Sequence, residues 1–284
     1  MPKRSENGRT LVFNYSELTA RNAVYISEEL QKKIRNTRLL IAGCGIGSSI
    51  AEIALRTGFE QITLVDGDRV CSHNLNRQDF CAEDIGEYKV SALAKRLRAI
   101  YPSCQISEIA DWVSKENVRA LVDGANIVFD TIDFLSLDGI VPLHDEARLQ
   151  KKVIISALSV GWGAGLMCFE PENEWTFRRI FGLPEGAFPA NASYVKHFRP
   201  LVEHLAPRLH PDVVEAMSQA FKTMEDGSPC PAPQLAVGAS AVGALCVTAV
   251  IRLLKGLPVK GAPEMMIVDL DALLSKPGVR ISAE

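Results

Sequence analysis

RLLIAGCGIGSS, Arg38 to Ser49, decides how the rest of this chain is read. Leu39 to Ala42 is an apolar run of strand length, Gly43, Gly45 and Gly47 form a turn, and Ser48 to Thr57 has the apolar spacing of a helix. This is how a βαβ unit begins when it cradles a nucleotide. Glycine lets the backbone approach the ligand, and the helix N-terminus offers unpaired N–H groups to phosphate. After Gly58, QITLVDGD reads as a second strand ending in Asp66 and Asp68. A carboxylate at that point is placed to hold ribose hydroxyls, and Asp66 is the first candidate. A G-x-G-x-x-G count from Gly43 ends on Ser48, so the loop alone fits either a nucleotide site or plain strand–turn–helix packing.

The residues that follow narrow the choice. VCSHNLNRQ (Val70 to Gln78) and IGEYKV (Ile85 to Val90) set Arg77 and Lys89 on either side of the place where phosphates would lie. A hydride-transfer enzyme needs little positive charge there. It would need an acid or base beside a substrate carbonyl, and His144, expected in a helix start after Pro142, is the only histidine near a strand end.

Three spaced groups, Asp66-Gly67-Asp68-Arg69-Val70, Asn74-Leu75-Asn76-Arg77-Gln78 and Gly86-Glu87-Tyr88-Lys89, resemble the E1-like activating enzymes of the ThiF, MoeB and HesA type. Their pattern is a glycine loop, D-x-D-x-V, N-L-x-R-Q and G-x-x-K. The resemblance covers Tyr15 to about Pro171 and Ser228 to Leu270. It implies an α/β fold: a Rossmann-like, mostly parallel sheet with helices on both faces. It also implies an adenylyltransferase that uses ATP and Mg2+ to activate a carboxylate, first of all the C-terminal glycine of a ubiquitin-like or sulfur-carrier protein.

The same resemblance assigns residues. Gly43, Gly45, Gly47, Ser48, Asp66, Asp68, Asn74, Arg77, Gln78, Lys89 and Asp133 would contact the nucleotide. Asn74, Arg77, Lys89 and Asp133 would act on the phosphates, with magnesium on Asp133. Arg21, in TARNAVYIS, matches an arginine that crosses a homodimer interface to the partner's nucleotide, while its plain reading is a solvated face. NIVFDTID (Asn126 to Asp133) is a fourth strand, in which Asp130 reads as strand termination and Asp133 matches the second aspartate of D-x-T-D-N. Ile132 and Phe134 replace the threonine and asparagine of that motif. Cys230 aligns with a cysteine that forms covalent carrier adducts, although Pro229, Pro231 and Pro233 also suit a surface loop without chemistry.

Two other outcomes stay open. The carboxylate can belong to a peptide, a small molecule or a tRNA base, as for the cyclic threonylcarbamoyladenosine dehydratases, or the chain can be a non-catalytic E1-like scaffold subunit. A length of 284 residues, 47% hydrophobic and 23% charged, suits one large α/β domain with an elaboration. A net charge of -3 weighs against nucleic acid as the main partner, so tRNA is possible but not favoured. Seven dispersed cysteines without C-x-x-C, and the lack of a secretory pattern or membrane-length apolar run, suggest a reduced, cytoplasmic protein without the family's zinc knot.

Three segments are expected: 1–170 with N-terminal helices and the ATP-binding core, 171–228 as an inserted, mainly helical elaboration on the substrate side, and 229–284 with the helix and strand that complete the core. Ser27 is expected to cap the helix before the first strand. CQISEIADWV (Cys104 to Val113) reads as a third strand running into a short helix. Gly161, Gly163 and Gly165 imply close approach to a ligand or to a neighbouring strand, and Cys168 reads as a small core residue.

Overall fold

Apolar runs separated by amphipathic helices build a sheet with both faces covered. The computed structural model describes residues 13–186, 194–225 and 233–278. Chain order is α1 (Tyr15–Thr19), α2 (Glu28–Asn36), β1 (Arg38–Ala42), α3 (Gly47–Thr57), β2 (Gln61–Val65), α4 (Lys89–Ile100), β3 (Gln105–Ile109), α5 (Val118–Asp123), β4 (Ile127–Asp130) and α6 (Leu137–Leu149). Then follow β5 (Val153–Val160), β6 (Gly163–Phe169), α7 (Phe177–Ile180), α8 (Tyr194–Leu205), α9 (Pro211–Glu225), α10 (Ala236–Leu254), β7 (Met266–Asp269) and α11 (Leu270–Leu274).

The strands lie in the order β3-β2-β1-β4-β5-β6-β7. β3 to β5 run parallel, while β6 and β7 are antiparallel to their neighbours. The strand order reverses between β1 and β4, which opens a crevice at their carboxyl ends. One core fills the face under α2, α3, α4 and α10, around Ile41, Ile50, Leu64, Phe129 and Val242. A second fills the face under α5 to α8, around Leu40, Val128, Val141, Phe177 and Phe198. The fold is thus the expected Rossmann-like one with an inserted helical segment.

Several local expectations hold. Ser27 accepts a hydrogen bond from the Leu30 N–H and caps α2. Cys168 is fully buried in β6, and burial pushes its thiol up to about 12. A Cβ on Gly163 would lie 1.7 Å from the Val268 carbonyl oxygen, so this glycine serves close approach of β6 to β7. α10 is the one described helix long and apolar enough to cross a membrane. Here it packs on α3, β5 and β6. Its Gly243 lets α3 approach so closely that a Cβ would meet the Ser49 carbonyl oxygen at 2.7 Å.

Other expectations need correction. No helix follows β3 directly: residues 110–117 are irregular and α5 begins at Val118. Asn117 prevents an immediate helix by accepting from the Ser114 N–H and donating to the Trp112 carbonyl. Pro142 does not open a helix either, but sits inside α6, so His144 is an interior residue. The start of segment 171–228 also joins the second core, since Phe177 and Phe181 are buried there in tilted contact, with Phe198 of α8 stacked on Phe181.

Candidate functional site

β1 ends at Ala42, and the chain turns through Gly43 at φ +91°. A Cβ there would lie 2.3 Å from the Thr131 carbonyl oxygen, so both the dihedral and the space demand glycine. Thr131 Oγ1 lies 3.0 and 2.6 Å from the carbonyl oxygens of Ala42 and Gly43, which ties the end of β4 to the loop. Ser48, at the third-glycine position, donates to the Gly45 carbonyl at 2.7 Å and accepts from the Asp79 N–H at 3.1 Å. Ser49 donates to the Asp79 carboxylate at 2.8 Å. The serines thereby fix the start of α3 against the segment that carries Arg77. The N–H groups of Gly45, Ile46 and Gly47 have no acceptor among the described residues. These are the donors that an anion at a helix N-terminus would take.

Asp66 and Asp68 divide their work. The buried Asp66 carboxylate accepts from the Cys44 N–H at 2.7 Å and the Asp68 N–H at 2.8 Å, which fixes the DGD turn to the glycine loop. Burial pushes its carboxyl above the ordinary range, and Lys89 with those two N–H groups pulls it back. Each of its oxygens keeps a further acceptor position for a ribose hydroxyl. Asp68 is half exposed and receives the buried Lys89 Nζ at 2.7 Å. The structure thus gives Lys89 a carboxylate partner that positions it at the first residue of α4.

Asn74 is buried and accepts from the Cys71 N–H at 2.8 Å. Arg77 donates to the His73 carbonyl at 2.8 Å, to Asn76 Oδ1 at 2.9 Å and to Gln234 Oε1, just ahead of α10. Burial lowers the Arg77 pKa, and the charge of Asp133 opposes that shift. Asp133 is exposed on the loop after β4, where its Oδ1 accepts from the Leu135 N–H at 3.0 Å. Gln78 is buried with its amide nitrogen against Gly45, and its Oε1 has no partner among the described residues. An orphaned buried acceptor beside a loop with free N–H groups fits a ligand that completes both.

The ThiF family matches residues 19–276 of this chain. This chain belongs to the ThiF family. Among relatives, the tRNA threonylcarbamoyladenosine dehydratase of Escherichia coli (strain K12) is 41% identical over 91 residues, 31% of this chain and 34% of that protein. The chain thus spans about a third of the length of that curated relative. Among solved structures, the crystal structure of PaaA has a TM-score of 0.64 at 16% identity, covering 94% of this chain and 84% of that one. The E. coli dehydratase TcdA in complex with ATP has a TM-score of 0.57 at 19% identity, covering 85% and 95%. At these identities the two structures establish the shared fold.

Within this ThiF-family fold Asp66 and Gln78 adjoin the glycine loop, Lys89 adjoins Asp68, and Asp133, on the loop after β4, lies within electrostatic reach of Arg77. Arg21 lies apart, exposed in a short turn of helix at Ala20–Asn22. Cys230 lies outside the described residues. No described group of three or more His, Cys, Asp or Glu side chains could hold a metal. Asp133 together with bound phosphates would suit magnesium, which keeps few protein ligands.

Sequence reasoning missed two features. Asp130, read as strand termination, is buried, and its Oδ2 lies 2.9 Å from both His144 Nε2 and Ser156 Oγ. His144 in turn packs on Phe169 and Phe177, so the cluster joins β4 to β5, α6 and the inserted segment. The second is Trp112, whose ring lies on Gly67 of the DGD turn. An aspartate in an otherwise apolar strand was the signal for the first, while Trp112 gave none.

Proposed function

We propose that this chain uses ATP and magnesium to activate a carboxylate by adenylation, in the manner of the dehydratase-type members of its family. The observation that carries the reading is a glycine loop with free N–H groups, bound on one side through Asp79 to the segment that bears Arg77 and on the other to Asp66, whose turn holds Lys89 through Asp68. ATP supplies the AMP group that turns a carboxylate oxygen into a leaving group. The chain's contribution is positioning and charge. The loop N–H groups and Lys89 hold phosphate, Arg77 faces charge developing at the reacting phosphorus, and Asp133 holds the metal. No general base is needed for the first step, because a carboxylate nucleophile is already ionised.

The acceptor we favour is a carboxylate on a modified nucleoside, peptide or small molecule. Support comes from the dehydratase relatives reported above, and it exceeds the support for the terminal glycine of a carrier protein that the motifs first suggested. Loss of water then follows when a nucleophile within the activated substrate displaces AMP from the acyl carbon. A scaffold role has less support, because Asp66, Asp68, Arg77, Lys89 and Asp133 are all present.

The test is ATP–pyrophosphate exchange with panels of carboxylates: threonylcarbamoyl-nucleosides and tRNA, short peptides, and small proteins ending in Gly-Gly. Exchange driven by the nucleoside or peptide panel is expected. Exchange with Gly-Gly proteins alone would return the assignment to carrier activation, and exchange with none would point to a scaffold. The same proposal includes a homodimer that brings Arg21 to the partner's phosphates. It is supported by the exposure of Val24 and Tyr25 beside Arg21, at 99% and 82%. A monomer in sedimentation at micromolar concentration would overturn that part.

A further inference from the structure

Trp112 carries an inference that rests on the ATP reading and extends it. β3 pairs with β2 so that Ile109 faces Val65, and the Asp66 N–H donates to the Ile109 carbonyl at 3.2 Å. The chain leaving β3 therefore passes beside the Asp66-Gly67-Asp68 turn. The indole of Trp112 lies directly on Gly67, where a Cβ would fall 2.5 to 2.7 Å from Cε2, Cδ2 and Nε1. No residue but glycine leaves room for this ring.

Yet the contact hides only part of the side chain, since Trp112 stays 55% exposed. Its Nε1 has no hydrogen-bond partner among the described residues. An indole is one of the largest apolar surfaces a protein has, and folding normally covers it. Here the backbone holds it in the open. The Trp112 N–H donates to Asp111 Oδ1 at 2.8 Å, its carbonyl accepts from Asn117 Nδ2 at 2.8 Å, and Val113 is buried in the second core. The backbone that carries the ring is thus held by local contacts, and the ring itself rests on Gly67. The other two tryptophans have local partners: Trp162 lies near Asp212, and Trp175 lies under the Arg179 guanidinium.

We propose that Trp112 is the platform on which the nucleobase of the bound nucleotide stacks. Phosphates at the Gly45–Gly47 loop and ribose at Asp66 and Asp68 define a direction, and the base leaves the ribose on the side away from the phosphates. On that side of the turn stands the exposed indole. Stacking on an aromatic ring accepts any base and needs no hydrogen-bond partner, so Trp112 contributes affinity for a nucleoside over bare polyphosphate.

Calorimetry with ATP and with inorganic tripolyphosphate tests this. Trp112→Ala is expected to weaken ATP by roughly 5- to 150-fold, the range of one base stack, and to leave tripolyphosphate unchanged. Trp112→Phe should restore most of the loss. With Trp162 and Trp175 replaced by Phe, the remaining fluorescence should be quenched by ATP and not by tripolyphosphate. Equal weakening of both ligands in Trp112→Ala, or no quenching by bound ATP, would overturn the platform while leaving the ATP site standing. Failure of the wild-type chain to bind ATP at all would overturn both.

Discussion

The two sides of the sheet meet at the β1–β4 crevice but are built by different kinds of contact. From β1 to the start of α4, polar residues of the spaced motifs hold one another: Asp66 takes the N–H groups of Cys44 and Asp68, Asn74 that of Cys71, and Lys89 reaches back to Asp68. From β4 onward the polar contacts tie strands and helices together outside any recognised motif. Asp130 meets His144 and Ser156, and Arg178 of α7 pairs with Asp145 of α6. The first side is a cradle set mainly by motif. The second is an assembly set by packing.

The largest expected effect separates the cradle from stability. Arg77→Ala should lower pyrophosphate exchange by about 10²- to 10³-fold, equivalent to roughly 3–4 kcal/mol, with little change in thermal midpoint. A fall in midpoint that accounts for the lost activity would instead make Arg77 a strut between its loop and Gln234. The converse holds across the crevice. Asp130→Ala leaves the buried His144 and the half-buried Ser156 without their shared partner, and should cost about 1–3 kcal/mol in urea unfolding. A cost near zero would show that the cluster does not join the insert to the sheet.

A smaller effect tests the packing that links the two sides. Gly243→Ala places a methyl against the Ser49 carbonyl and Ile53, and should destabilise by about 1–2 kcal/mol as α10 moves off α3. ATP affinity should fall with it, because α3 carries the loop. Unchanged affinity would show that the cradle holds its shape without α10.

The smallest expected effect is on pH dependence. At Glu52, burial raises the carboxyl pKa, but Arg96 and Arg56 outweigh it and hold the group below its ordinary range. A depressed folded value means stability that is present above the unfolded carboxylate pKa of about 4.3 and lost as pH falls through the folded value. Glu52→Gln should therefore flatten the acid limb of a stability–pH profile below that point. An unaltered limb would place the acid sensitivity in other carboxylates.

The sequence by itself determined the βαβ start, the family, and the cluster from Gly43 to Lys89, because these depend on apolar periodicity and on polar residues that fall in spaced, recognisable motifs. It also placed a mainly helical elaboration within 171–228 and a closing helix and strand within 229–284, where α8, α9, α10 and β7 lie. Only the tertiary structure decided which carboxylates are occupied and by what. Asp130 looked like a strand end until His144 and Ser156 came beside it, 14 and 26 residues away. Trp112 looked like part of a helix until β3 paired with β2 and laid its ring on Gly67. Periodicity reports which face of an element is buried, whereas contact between residues distant in the chain depends on strand order and register, which no local pattern encodes.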